Sequence, residues 1–229
     1  MLAGHITAPG RIELIEIDEP ALSDGPRGPD APGEILFEPE LACLCGSDIP
    51  FFEHSSEIPP PEIGHSLHEM IGRVAATNGS RFRPGERVLC VPVNQCGLFE
   101  RYVVSEDRAI SLDPRVPDEH AVLAQPLGTV IFALRKLPAL IDRTVAVVGQ
   151  GPIGHLFNMC LRNLGARQII AIDRIPSRLE FSRATGATLA VCSDERCPVE
   201  AVSRATDGRL ADIVIEAVGH DEQAFNLCI

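Results

Sequence analysis

The β-branched run Thr144 to Val148 leads without a break into Gly149-Gln-Gly151-Pro-Ile-Gly154, and the residues that follow place apolar side chains at Ile153, Leu156, Phe157, Cys160, Leu161 and Leu164 before Gly165. A short buried strand, a G-x-G-x-x-G turn and an amphipathic helix in that order form the first unit of a parallel sheet covered by helices. Gly149 makes the tight turn, Gly151 lets the backbone approach a ligand, and Gly154 lets helix and strand pack closely. The first helical turn, opening at Pro152 and Ile153, offers N–H groups and a positive dipole end suited to a pyrophosphate. A second strand, Gln168 to Ile172, ends in Asp173 at the spacing expected of an acid that receives ribose hydroxyls.

These residues predict a dinucleotide site. The Asp173 carboxylate accepts from both ribose hydroxyls of NAD and repels the 2′-phosphate of NADP, so NAD is the expected cofactor and NADP the less favoured one. Arg174 beside it softens that repulsion. Arg178 is expected to flank the adenosine end, although a solvated helix residue also fits its position.

The rest of the chain falls into two textures. Residues 11–104 carry short alternating runs (Arg11 to Ile17, Glu34 to Cys43, Met70 to Ala76, Arg87 to Val93, Leu98 to Val104), which read as an irregular all-β domain. The Pro- and Gly-rich stretches Pro20 to Gly33 and Ile58 to Pro61 read as connectors. Glu119 to Leu137 predicts one or two helices, interrupted at Pro126. Beyond them β and α runs alternate through Ser177 to Thr185, Thr188 to Cys192 and Ala211 to Val218, giving four parallel strands in the order 3-2-1-4. The fold class is therefore α/β, with an N-terminal all-β domain and a doubly wound parallel sheet.

Charge and cysteine usage exclude several partners. Twenty Lys and Arg against 32 Asp and Glu leave a net charge of −12, a field that repels phosphate backbones and anionic lipid. Neither nucleic acid nor membrane is expected as a partner. No apolar run reaches the roughly 20 residues a bilayer requires, and no signal segment opens the sequence, so a cytoplasmic location is expected. Eight cysteines are too dilute for a disulfide scaffold; each is a buried thiol, a nucleophile or a metal ligand.

Two of the strand ends in the β half suggest a metal. Cys45-Gly-Ser-Asp48 follows one strand, and His68-Glu69 precedes another. A thiolate and an imidazole so placed suit zinc, with the Asp48 carboxylate able to orient the imidazole. The same residues also fit a buried thiol and a satisfied loop histidine, and spacing alone leaves both readings open.

The combination Cys45-Gly-Ser-Asp48, His68-Glu69-x-x-Gly72-x-Val74, Arg83-Pro-Gly-Glu-Arg-Val88, Gln125-Pro-Leu127 and Gly149-x-Gly-x-x-Gly154 resembles the zinc-dependent medium-chain alcohol, polyol and threonine dehydrogenases. The resemblance spans nearly the whole chain. It implies a GroES-like catalytic domain over residues 1–118, linking helices over 119–140 and a partial Rossmann domain over 141–229, with the active site in a cleft between the domains. It implies that Cys45 and His68 bind one catalytic zinc, that Glu69 lies beside the metal and can join it, and that Ser47 begins a proton relay. Gln125 stands where the family usually carries Glu or Cys, and its neutral amide makes a weaker ligand. His65 competes with His68, but only His68 has the following Glu and the correctly placed Gly72 and Val74; His65 is read as a loop residue.

Three departures accompany the resemblance. Only Cys90 and Cys96 occur where many members hold a four-cysteine structural zinc, so no structural zinc is expected. Pro50 replaces a histidine of the relay, leaving His54 or water to complete it. The sequence ends at Ile229, after the fourth strand, where the family continues through two more; a truncated product, a fragment and a half needing a partner are the three readings, and the fourth strand is expected to expose an unpaired edge.

The expected function is NAD-dependent, zinc-assisted hydride transfer from a small secondary alcohol or polyol, in a chain able to form a homo-oligomer. A non-catalytic NAD-binding remnant and a zinc-free, quinone-reductase-like member are the alternatives.

Overall fold

The computed structural model describes residues 1–24, 32–53, 61–219 and 222–228. Half of the expected connector Pro20 to Gly33 (residues 25–31) and all of Ile58 to Pro61 except Pro61 lie outside the described residues. The chain divides into two compact units, Met1–Gln125 and Pro126–Ile229. Among the described residues no helix is long and apolar enough to cross a membrane.

In the first unit β1 (Leu2–Ala8) and β2 (Arg11–Glu16) form an antiparallel hairpin. The main sheet contains β3 (Glu34–Cys43), β4 (Glu69–Thr77), β5 (Arg87–Cys90), β6 (Tyr102–Ser105) and β7 (Ala109–Ser111), in the antiparallel order β6-β3-β4-β5-β7. Sequence alternation identifies β2 through β6; β1 and the three-residue β7 escape it, because pairing with a neighbour rather than a strong pattern makes them strands. A short helix α1 (Ile49–Phe52) follows β3, and α2 (Asp118–Ala121) lies near the end of the unit.

Alternation along β3 turns Ile35 and Phe37 into the core with Met70, Val74 and Val88, all fully buried, while Glu38 is exposed. Pro39 interrupts β3 without cost to the ladder. Pairing with β6 ends at Phe37, and opposite β4 the register is irregular between Pro39 and Leu41, so no bond needs the missing N–H. Gly72 faces Pro39 across this irregularity, and a Cβ there would lie 2.1 Å from the Glu38 carbonyl oxygen. Only glycine lets β4 pass so close. Below it the register pairs Cys43 with Glu69, so the end of β3 and the start of β4 lie side by side.

The expected helical stretch after residue 118 contains α2 and α3 (Ala124–Leu134), separated by a turn at Val122 and Leu123. Pro126 falls in the first turn of α3, where its missing N–H has no helical partner to lose.

The second unit runs β8 (Thr144–Val148), α4 (Pro152–Asn163), β9 (Gln168–Asp173), α5 (Pro176–Thr185), β10 (Leu189–Cys192), α6 (Pro198–Ala205), β11 (Ile213–Glu216) and α7 (Glu222–Leu227). Its strands are parallel in the order β10-β9-β8-β11, which is the expected 3-2-1-4. On one face Val145, Val147, Ile169 and Ala171 pack with Phe157 and Leu161 of α4 and Leu179 of α5. On the other, Ala146, Val148, Ile170 and Ile172 pack with Val202 of α6 and with residues of α7. Burial of both faces is why these strands read as continuous apolar runs. The short helices α6 and α7 were not foreseen. They owe their positions to this second face. Among the described residues β11 pairs with β8 alone, leaving its other edge open.

Candidate functional site

In the first unit Cys45, His68 and Glu69 converge: one ligand atom from each lies within 4.8 Å of the others, with Glu69 buried and its two companions half-buried. Local backbone builds this cluster. Cys45 leaves β3 two residues after Cys43, the direct partner of Glu69. Asp48, 3% exposed, accepts through Oδ2 from the Cys45 N–H at 2.8 Å and through Oδ1 from the Leu67 N–H at 3.2 Å, bracing the two strand ends against each other. Its Oδ1 is 3.8 Å from His68 Nδ1, beyond direct hydrogen-bond range. Asp48 therefore acts on the backbone of both segments more than on the imidazole it was expected to orient.

The approach to His68 is strained. Ser66 and Leu67 both hold positive φ, at 134° and 64°, a conformation that costs a non-glycine residue roughly 1–3 kcal/mol. Hydrogen bonds over-determine it: Ser66 N–H donates to the Gln95 carbonyl at 3.1 Å, Gly97 N–H to the Ser66 carbonyl at 2.9 Å, and Leu67 N–H to Asp48. Strain held this way fixes where His68 starts.

The donor set fits zinc. A thiolate sulfur, an imidazole nitrogen and a carboxylate oxygen are its usual ligands, and tetrahedral bonds of about 2.0–2.3 Å place ligand atoms less than 4 Å apart, a small contraction of the spacing seen. His68 Nδ1 is buried without a hydrogen-bond partner. Ser47 is half-buried in the turn between Cys45 and Asp48, and Gln125 is half-buried in the first turn of α3. His54 lies outside the described residues. His65 is in a loop, as expected, yet it is 8% exposed, packs at a tilt against the Phe51 ring with 4.3 Å between centroids and has an unpartnered Nδ1. Burial pushes its pKa down against the opposing pull of Asp48 and Glu62. Glu69 and burial both push the Cys43 thiol up, burial more strongly, so it stays protonated beside the cluster.

In the second unit the three glycines do different work. Gly149 has φ +95°, and a Cβ there would come within 2.8 Å of Ala217; at Gly154 a Cβ would lie 1.9 Å from the Gly149 carbonyl oxygen. At Gly151 nothing stands within 4 Å, which leaves open space at the N-terminus of α4. Pro152 occupies the first helical position, and Ile153 turns its side chain into the core, so the N–H groups of Ile153 and Gly154 lack helical acceptors.

Asp173 ends β9 at 8% exposure, its Oδ2 accepting from the Gln150 N–H at 2.6 Å and its Oδ1 from the Ile175 N–H at 2.8 Å. Arg178 Nη1 stands 3.8 Å from Oδ2. Gly149, Asp173, Arg174, Arg178 and Asp194 line a cleft of about 760 Å³ at the C-terminal ends of the strands, where ligands of parallel α/β sheets bind.

Sequence reading missed the support beneath this turn. Gln150 is fully buried; its Nε2 donates to the carbonyls of Val147 and Gly149, and its Oε1 accepts from Asn158 Nδ2 at 2.8 Å and Ser182 Oγ at 2.9 Å. A polar residue in a variable position of G-x-G-x-x-G carries no periodic signal. His155 is half-buried with Nδ1 3.1 Å from Thr185 Oγ1.

Two family models match the chain, an alcohol dehydrogenase GroES-like domain over residues 31–113 and a zinc-binding dehydrogenase domain over residues 152–229. The L-threonine 3-dehydrogenase of Bacillus subtilis is 30% identical over 82% of this chain and 62% of its own length. A probable D-xylulose reductase A of Arthroderma otae is 27% identical, covering 82% of this chain and 63% of its own. Among solved structures, an alcohol dehydrogenase from Thermus sp. ATN1 superposes with a TM-score of 0.85 at 27% identity, covering all of this chain and 73% of its own. The chain thus spans less than two thirds of the length of these two curated relatives.

Proposed function

The chain belongs to the zinc-type medium-chain dehydrogenase family, and from that premise we propose that it serves NAD-dependent oxidation of a small secondary alcohol or polyol. The observation that carries this reading is the convergence of Cys45, His68 and Glu69, a mixed sulfur, nitrogen and oxygen donor set, on strand ends braced by Asp48. Its relatives' names, threonine dehydrogenase and xylulose reductase, support a hydroxyl-bearing substrate.

Cys45 and His68 would hold zinc, with Glu69 beside them and Gln125 as a weak further donor. Zinc supplies Lewis acidity toward a hydroxyl oxygen, and NAD supplies the hydride acceptor. The residues of the chain orient and move protons. Ser47, in the turn between Cys45 and Asp48, relays the proton released by the hydroxyl, accepting it as its own proton passes on to water, and Asp48 keeps that turn in register with His68. Asp173 accepts from the ribose hydroxyls, while the open space at Gly151 admits the pyrophosphate to the N–H groups of α4. The free thiols fit the cytoplasmic location this reading carries.

Metal analysis and an NADH titration of the purified chain test the proposal. One zinc per chain, saturable NADH binding and turnover of at least one member of an alcohol and polyol panel are expected. NADH binding without zinc would favour the zinc-free alternative, and zinc and NADH binding without turnover the non-catalytic one.

A further inference from the structure

The charges around the nucleotide cleft are matched in pairs. Arg174, directly after Asp173, directs its Nε to Asp194 Oδ1 at 3.2 Å, while Arg178 faces Asp173. Asp194 lies two residues past the end of β10, and the segment is tied to β9 by the Ser193 N–H donating to the Asp173 carbonyl at 3.0 Å. Both Ser193 and Asp194 line the same cleft as Asp173. Among the described residues two guanidinium groups thus face two carboxylates at this cleft.

The Arg174 and Asp194 side chains are 71% and 58% exposed, so their pair adds little to stability. Its consequence lies in what it withholds. A guanidinium next to Asp173 is the group a 2′-phosphate would need to offset the carboxylate. Resting on the nucleotide reading above, we propose that Asp194 is a specificity-determining residue: it holds Arg174 away from the ribose end beside Asp173 and so sharpens the preference for NAD over NADP. Asp173 supplies the repulsion. Arg178 already faces Asp173, and Asp194 engages the second guanidinium, that of Arg174, while adding a second negative charge at the same rim. Since the pair is exposed, its influence is screened by salt.

The test is a fluorescence titration with NADH and with NADPH of the wild-type chain, Asp194→Asn, Asp194→Glu, Arg174→Gln and the double variant Asp194→Asn with Arg174→Gln. In Asp194→Asn the NADPH Kd is expected to fall roughly ten-fold while the NADH Kd stays within about two-fold, and raising salt to about 0.5 M shrinks the gain. Asp194→Glu restores the wild-type ratio, and the double variant loses the gain. An unchanged ratio in Asp194→Asn, or a full gain without Arg174, overturns the proposal. A wild-type chain that binds NADPH as tightly as NADH also overturns it, with the cleft still a nucleotide site; binding of neither removes the nucleotide reading itself.

Discussion

Asp173 Oδ2 accepts a 2.6 Å hydrogen bond from the backbone N–H of Gln150, joining the acid at the end of the second parallel strand to the glycine turn at the end of the first. The carboxylate thus shapes the turn as well as presenting charge to a ribose. Asp173→Ala is expected to weaken NADH binding more than about ten-fold and to lower stability by roughly 1–3 kcal/mol, since two backbone donors lose their acceptor. Zinc content should stay unchanged. NADH titration, urea unfolding and metal analysis on one preparation check all three.

The glycines separate folding from binding. Gly154→Ala puts a Cβ against the Gly149 carbonyl, a backbone contact that cannot rotate away, and should cost about 1–3 kcal/mol or more. Gly151→Ala meets open space and should leave the thermal midpoint nearly unchanged while reducing NADH affinity. Equal loss of stability in both variants would contradict these separate roles.

The metal centre can be removed without the nucleotide site. Cys45→Ser substitutes a hydroxyl for the thiolate and is expected to abolish stoichiometric zinc, with the NADH dissociation constant unaltered. Asp48→Ala should lower zinc occupancy too, because the Cys45 and Leu67 N–H groups lose their common acceptor. Zinc retained by Cys45→Ser would move the centre elsewhere.

Gln150 predicts a large effect from a residue with no access to solvent. Gln150→Leu removes the shorter hydrogen bonds of the Asn158 amide and the Ser182 hydroxyl, leaving them only 3.4 Å contacts to Thr185 Oγ1 and the Arg178 carbonyl, for an expected loss of about 1–3 kcal/mol. Urea denaturation measures it, and a midpoint equal to wild type would rule out the network as a support for the turn.

His155 gives a pH dependence with a definite sign. Burial pushes its pKa below the ordinary value, with Asp173 opposing and Arg178 adding to the shift. The unfolded chain therefore binds the proton first, so the stability linked to His155 is complete above about pH 6.5 and is lost as pH falls through the folded value. Between about pH 7 and pH 5 the urea midpoint of His155→Gln should fall less steeply than that of the wild type.

Local pattern made much of the molecule legible. Thr144–Val148 and Gln168–Asp173 coincide with their expected spans because both faces of those strands are buried, and a run of apolar β-branched residues has few other uses. The strands β1 and β7 and the helices α6 and α7 were not, since each is short and depends on a neighbour that sequence alone does not supply. In the candidate site, Cys45, His68, Asp173 and the glycines are recognisable from spacing and family resemblance, whereas burial of His65 and Gln150 is not.

By itself, then, the sequence determined the succession of elements, the glycine turn and its acid, and the residue types able to hold a metal, because these depend on side-chain period and on what only glycine, thiolate or carboxylate can do. Tertiary structure alone decided that Cys43 stands opposite Glu69, that Asp48 braces two backbones rather than an imidazole, and that Arg174 turns to Asp194. Apart from the local bond of Asp48 to Cys45, these contacts join residues 19 to 26 positions apart at the ends of paired strands, and the register that brings those ends together is set by the packing of whole faces, which no local pattern encodes.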